Sequence, residues 1–292
     1  MESTLYFILD SRSIFFRKRE YFRGVEDEDN IMVTGTGVWS SMVRFSRLYN
    51  IKGGRKKKTS IYLCDSNGYY LVYEGYISNL TVDMEKNKLI DKLSEYSSEI
   101  SLGDMLLSSV ISKCLCKINQ SRRNSFSKSV EDRIIVIDAS KKDDYISQYV
   151  SLLNAGFASQ KLGVVVDILS VSREPSSLLS NFADICNGLN LNYKEAIDSV
   201  SLEYGAKNGN SGYFSVYNKE RNDQGLTAFL IFHFLPSIEA RDETFIRVNR
   251  TKQTGFVVCF CHHDKIDIGY VCSSCLSIFC SLFRAPICST CG

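Results

Sequence analysis

Seven of the chain's eleven cysteines fall in its last stretch, CFCHHDKIDIGYVCSSCLSIFCSLFRAPICSTCG, at Cys259, Cys261, Cys272, Cys275, Cys280, Cys288 and Cys291. Thiolates at this density point to a metal-built module. Cys272 with Cys275 and Cys288 with Cys291 form two CxxC pairs. Each pair can fold into a tight knuckle that aims two thiolates at one ion, and two knuckles complete the tetrahedral sulfur shell that zinc takes in structural sites. A four-thiolate shell is coordinatively closed, so it holds structure and leaves no position for a substrate water. Function is therefore to be sought in surfaces.

Cys259, Cys261, His262, His263 and Cys280 remain. They could furnish a second ion in a cross-braced arrangement, where alternate ligand groups share an ion. Cys272, Cys275, Cys288 and Cys291 would still belong together, and the first site would draw on Cys259, Cys261, His262 and Cys280. The alternative is that these are small side chains packed near the first site, since free cysteine behaves as a small hydrophobe. Disulfides need an oxidising compartment, and the apolar run Leu5 to Leu9 is too short for a signal-peptide core. A redox CxxC normally stands singly beside a strand-helix unit, so paired knuckles argue against it.

Composition bounds the rest. The 292 residues are 44% hydrophobic and 23% charged with three prolines, the profile of a soluble globular protein long enough for one large domain plus a small module. A formal charge of +2 implies no global attraction to nucleic acid or acidic lipid. The apolar run Leu226 to Leu235 is far below bilayer-spanning length. The sequence therefore reads as soluble and intracellular. Two basic runs, Arg55-Lys56-Lys57-Lys58 and Arg122-Arg123, have the setting of solvated loops.

The elements that position the tail follow from hydrophobic period. Apolar runs predict strands over Leu5 to Leu9, Ile61 to Cys64, Tyr69 to Tyr73, Ile134 to Ile137, Val164 to Leu169 and Leu189 to Tyr193. Several are apolar at consecutive positions, as strands buried on both faces must be. Asp65-Ser66-Asn67-Gly68 is a hairpin signal, so one edge strand should run antiparallel. Leu102, Leu106, Val110, Cys114 and Ile118 mark one helix; Ile146, Tyr149, Val150, Leu153 and Phe157 mark another. A third starts after Pro175, capped by Ser176 or Ser177, with Leu178, Phe182 and Ile185 inward and Gly188 as a left-handed stop.

Alternating strands and helices predict an α/β fold with a doubly wound, mostly parallel sheet. Phe15 to Asn30 reads as a surface excursion and Ser199 to Gln224 as a flexible insertion. The expected domains are 1–236, a connector over 237–256 and a zinc-binding module over 257–292.

No catalytic constellation emerges. Asp10 and Asp138 end two strands where an open α/β sheet binds ligands, and such carboxylates could hold magnesium with hydroxyl ligands. Yet against the Asp-x-Ser-x-Ser pattern with which von Willebrand A-type domains hold such an ion, the similar run Asp10-Ser11-Arg12-Ser13-Ile14 puts a cation and an aliphatic side chain in the hydroxyl positions. No phosphate loop or nucleophile elbow is present. His233 lies in an apolar helix, where a core or interface histidine is the ordinary outcome.

The tail closely resembles one family: Cys259-Phe260-Cys261-His262, Ile268-Gly269-Tyr270-Val271-Cys272, Cys275-Leu276-Ser277-Ile278-Phe279-Cys280 and Pro286-Ile287-Cys288 all agree with it. Weaker agreement covers the sheet domain through Arg133 to Ile137, Phe157 to Lys161 and Ala183 to Leu189. The chain resembles the smaller of the two von Willebrand A-type, zinc-binding core subunits of general transcription factor IIH (TFIIH). The resemblance implies a von Willebrand A-like sheet domain with a degenerate metal site. It also implies zinc held by Cys272, Cys275, Cys288 and Cys291. The implied role is a nuclear, noncatalytic scaffold that binds the larger von Willebrand A/RING subunit and supports the helicases in transcription initiation and nucleotide excision repair. DNA would be met only indirectly, and no membrane or small-molecule substrate is implied.

Two features depart from the family pattern: the insertion from Ser199 to Gln224 is long, and the sequence ends at Gly292 without a basic tail. Two other classes fit the cysteines, a RING-type ubiquitin ligase with two cross-braced ions and a zinc-ribbon nucleic-acid binder.

Overall fold

Consecutive apolar residues form the centre of a six-stranded sheet. The computed structural model describes residues 4–10, 35–51, 57–76, 105–123, 131–139, 145–172, 176–193, 222–243, 257–262, 265–283 and 286–292. The sheet strands are β1 (Thr4–Asp10), β2 (Lys58–Cys64), β3 (Tyr69–Tyr76), β4 (Arg133–Asp138), β5 (Val165–Ser170) and β6 (Asn190–Asn192). Their order is β3-β2-β1-β4-β5-β6. All neighbours pair parallel except β2 with β3. This is the doubly wound, mostly parallel sheet with one antiparallel edge strand that the residue patterns predict, and the von Willebrand A-like fold that the resemblance implies. At the β2–β3 turn the Asp65 carboxylate accepts the Asn67 and Gly68 backbone N–H groups at 2.8 and 2.7 Å.

Helices cover both faces because alternate strand residues point opposite ways. Leu5, Phe7 and Leu9 of β1 pack with α1 (Gly35–Ile51) and α5 (Asn222–Phe234). Tyr6 and Ile8 pack on the other face with α2 (Leu107–Arg123), α3 (Tyr149–Leu162) and α4 (Ser177–Ile185). The buried stripe of α3 is Leu152, Leu153, Ala155, Gly156 and Ser159. Phe157, expected on that stripe, is exposed. Phe15 to Asn30 and residues 199–221 of the expected insertion lie outside the described residues, whereas Asn222, Asp223 and Gln224 already belong to the backbone of α5.

The left-handed residue after α4 is Asn187, with φ of 53°, rather than Gly188. Gly188 is needed for another reason: a Cβ there would lie 1.8 Å from the Val166 carbonyl oxygen. Gly188→Ala is therefore expected to push α4 and β6 off β5, destabilising the domain by about 1–3 kcal/mol or more, as overpacking does. Chemical denaturation of the full chain measures this, and an unchanged midpoint would refute it.

Both basic runs are partly built into the fold. Lys57 is buried with its ammonium 3.6 Å from the Tyr49 ring centroid, and Lys58 pairs with Glu74 at 2.6 Å. Arg122 ends α2, donates from Nε to Asp132 at 2.8 Å and caps the Leu162 carbonyl at the end of α3. The solvated-loop expectation fails for these three side chains because their charges find partners within the fold.

The segment after Pro236 is also tied to the sheet. Short helix α6 (Ile238–Glu243) carries Arg241, whose guanidinium meets Asp167 of β5 in two parallel hydrogen bonds of 2.8 Å. Arg133 of β4 lies 3.7 Å from the same carboxylate and donates to the carbonyls of Phe234 and Pro236. Asp167 and Arg133 are fully buried.

On α5, Phe234 is buried and Phe232 is exposed, while Phe229 packs edge-on against Tyr193 and lies 4.4 Å from the His233 ring. Burial first, then the Arg241 charge, holds His233 below its ordinary pKa. The unfolded chain therefore binds more protons near pH 6, and stability is full above the unfolded value of ~6.5 and lost on acidification through it. His233→Gln is expected to flatten the wild-type stability loss between pH 7 and 5.5, read as the difference between two denaturation series.

Candidate metal centre

The tail forms two small ribbons, β7 (Val257–Val258) with β8 (Lys265–Ile266) and β9 (Gly269–Val271) with β10 (Ile278–Cys280). The first CxxC pair sits in the loop of the β9–β10 hairpin. There the Cys272 N–H donates to Ser277 O and the Leu276 N–H to Cys272 O, each at 2.9 Å. This tight wrap forces Leu276 to a φ of 61°, a conformation an L residue adopts at a cost of about 1 kcal/mol. The second pair closes similarly, with Gly292 N donating to Cys288 O at 3.0 Å.

The two knuckles meet. Cys272 Sγ lies 3.8 Å from Cys291 Sγ, and Cys275 Sγ lies 3.6 Å from Cys288 Sγ. All four sulfurs are within 4.8 Å of one another. With zinc–sulfur bonds near 2.3 Å, a tetrahedral sulfur shell has edges of about 3.8 Å, so donor chemistry and spacing both fit a zinc ion. Without a metal the sulfurs share protons unevenly. Burial opposes ionisation of Cys288, yet N–H groups of Thr290 and Cys291 and the neighbouring thiols bring it down to about 6. Cys291, donating toward Cys275, Cys288 and Cys272, is pushed up to about 12.

Cys259, Cys261, His262 and Cys280 also converge, with their ligand atoms within 4.8 Å. His263 lies outside the described residues. The two quartets interleave along the chain, because Cys280 falls between the two knuckles of the other group. Among the described residues these are the two clusters with metal-ligand geometry. At the sheet's carboxyl edge, Asp138 instead accepts a 2.6 Å hydrogen bond from the Tyr145 hydroxyl. Asp10 is likewise buried, and Arg12 and Ile14 lie outside the described residues.

Sequence reasoning missed the contact between module and sheet domain. Phe260, between two ligand cysteines, packs on Tyr149 at the start of α3 with centroids 4.5 Å apart. The Tyr149 hydroxyl donates to Leu276 O at 3.4 Å. An aromatic inside a CxC pair was the available signal, but nothing local names its partner.

Comparison with known proteins decides the family. The family model for transcription factor Tfb4 matches residues 46–204 and 197–292. The chain belongs to the Tfb4 family. Among the relatives of this Tfb4-family chain is General transcription factor IIH subunit 3 of Dictyostelium discoideum, 30% identical over 213 residues, covering 71% of the chain and 48% of the relative. General transcription and DNA repair factor IIH subunit TFB4 of Arabidopsis thaliana is 27% identical over 231 residues, covering 78% and 65%. The Tfb4-family chain thus spans about half to two-thirds of the length of these relatives. The crystal structure of the TFIIH p34 N-terminal domain shares its fold, with a TM-score of 0.50 at 15% identity over 65% of this chain and 90% of that one.

Proposed function

We propose that the chain is a noncatalytic scaffold subunit of the TFIIH core complex, acting in the nucleus in transcription initiation by RNA polymerase II and in nucleotide excision repair. The observation that carries this reading is the Tfb4 family match, which extends through both the sheet domain and the cysteine tail. In this reading residues 1–236 form the docking domain, 237–256 connect it, and 257–292 form the metal module. Cys272, Cys275, Cys288 and Cys291 hold one structural zinc, whose chemistry is to supply folding free energy to a module too small for a core of its own.

The expected partners are the larger von Willebrand A/RING subunit and, through the core complex, the helicases. DNA is met only indirectly, with no membrane and no small-molecule substrate. Partner binding is supported by the module's surface, where Ile268, Tyr270, Val271, Leu282 and Ile287 are each more than half exposed. Copurification of the tagged chain tests the proposal: recovery of the helicases and the larger zinc subunit is expected, and their absence rejects it.

One observation favours a second reading. The two quartets interleave along the chain as those of a cross-braced RING do, although the first divides three and one rather than two and two, so a ubiquitin-ligase activity is the alternative. Ubiquitin transfer by the purified chain with conjugating enzymes would replace the scaffold reading, and none is expected.

A further inference from the structure

The side chains of Cys259, Cys261, His262 and Cys280 divide in a way that packing does not explain. Cys259 and Cys280 are buried, as small core thiols would be, but Cys261 and His262 are exposed. An exposed thiol and imidazole gain nothing from apolar packing, yet both turn toward the buried pair. Cys261 Sγ lies 3.5 Å from Cys280 Sγ, and His262 Nδ1 lies 3.4 Å from Cys280 Sγ and 4.0 Å from Cys259 Sγ. Around a tetrahedral zinc, sulfur–sulfur and sulfur–nitrogen edges are about 3.8 and 3.6 Å. The Cys259–Cys261 edge is shorter, at 2.8 Å, and an ion entering the group spreads it by about 1 Å.

The surroundings are those of a ligand group. Cys259 Sγ accepts backbone N–H groups from Cys261 at 3.4 Å and Cys280 at 3.1 Å, donors that stabilise a thiolate and fix its direction. The Phe260 N–H donates to Ile278 O at 2.9 Å, joining the turn that carries three of the four side chains to the strand that carries Cys280. Phe260 therefore sits inside the loop that an ion would close. Its ring lies against Tyr149 on one side and near Phe279, 6.3 Å away, on the other.

We propose that Cys259, Cys261, His262 and Cys280 bind a second zinc ion, cross-braced with the first, and that this ion holds Phe260 against Tyr149 and so couples the metal module to helix α3. The inference deepens the scaffold reading but does not need the TFIIH assignment. The first ion orders the β9–β10 loop. The second immobilises residues 259–262, whose contact with α3 sets where the module stands on the sheet domain.

Metal content of the reduced full-length chain tests the site. Two zinc ions per chain are expected, falling to one in Cys261→Ala and in His262→Ala, both at exposed positions where the truncation leaves no core cavity. Cobalt substitution identifies which site remains, since a three-sulfur, one-nitrogen site and a four-sulfur site differ in their ligand-field bands. One ion in the wild type, retained in His262→Ala and lost in Cys272→Ser, overturns the second site and leaves the first. One ion lost in His262→Ala but retained in Cys288→Ser would do the reverse.

Amide exchange tests the coupling. Tyr149→Ala is expected to keep both ions while exchange of residues 257–262 quickens by about threefold to tenfold, the scale of one aromatic pair. His262→Ala, which removes the ion as well as the ring contact it holds, should give at least that increase. Unchanged exchange in both variants overturns the coupling.

Discussion

Cys272→Ser, Cys288→Ser or removal of zinc by a chelator is expected to unfold residues 257–292 while the six-stranded sheet stays folded. The module's described core is small: Cys259, Cys275, Phe279 and Cys280 are its buried apolar side chains. Burial of one phenylalanine and three thiols contributes only a few kcal/mol, whereas structural zinc supplies on the order of 10 kcal/mol in small zinc-finger peptides. Loss of a single ligand thus removes more stabilisation than the module holds without metal. Limited proteolysis of the zinc-loaded and chelated full-length chain provides the measurement, with cleavage expected inside 257–292 and not within β1, β2, β4 or β5. A module that stays resistant after its zinc is gone would remove the metal from its structural role. Loss of the partner subunits from the chelated complex is the corresponding functional readout.

Asp167→Ala is expected to destabilise the sheet domain by about 3–5 kcal/mol, the cost of leaving buried charges without their partner. Arg241 meets this carboxylate through two bonds of 2.8 Å, and Arg133, which also pairs with Glu131 at 2.8 Å, lies 3.7 Å from it. Arg241→Ala should cost less, because Arg133 still faces the carboxylate and retains its bonds to the Phe234 and Pro236 carbonyls. The order Asp167→Ala above Arg241→Ala, read from urea denaturation midpoints at constant slope, is the sharper form of the prediction. A cost below 1 kcal/mol for Asp167→Ala would show that Arg241 and Arg133 are served by other partners once the carboxylate is gone. Since α6 lies in the stretch leading to the metal module, the same substitution should also loosen that stretch and raise exchange of residues 237–243.

The strands β1, β2, β4 and β5 were legible because a central strand of a mostly parallel sheet is buried on both faces and so reads as a short apolar run. The hairpin was legible for a similarly local reason, since Asp65 must bond the backbone two and three residues on. The convergence of Cys272, Cys275, Cys288 and Cys291 was legible because a CxxC knuckle closes within its own turn, and the family was legible in the spacers between the cysteines.

Long-range pairing was not legible. Asp167 and Arg241 are 74 positions apart, and Tyr149 and Leu276 are 127 apart. An aspartate inside an apolar strand announces a need for a partner without naming it. Folding also reassigned residues whose local pattern pointed elsewhere. Phe157 keeps helical spacing yet faces solvent, because Gly156 lies close against Phe182 and Ile185 and so selects the buried face of α3. Lys57 and Arg122 carry loop-like charge but are held by Tyr49 and Asp132.

The cysteine tail divides along the same line. Residue type and knuckle spacing are local covalent facts, so the chain's order of residues specifies a cysteine module and one sulfur quartet able to hold a metal ion. Whether Cys280 joins Cys259, Cys261 and His262 depends on β10 folding back across the turn that carries them, and the place of Phe260 depends on α3. Those are contacts between distant segments, set by packing and hydrogen bonds that no short-range spacing encodes.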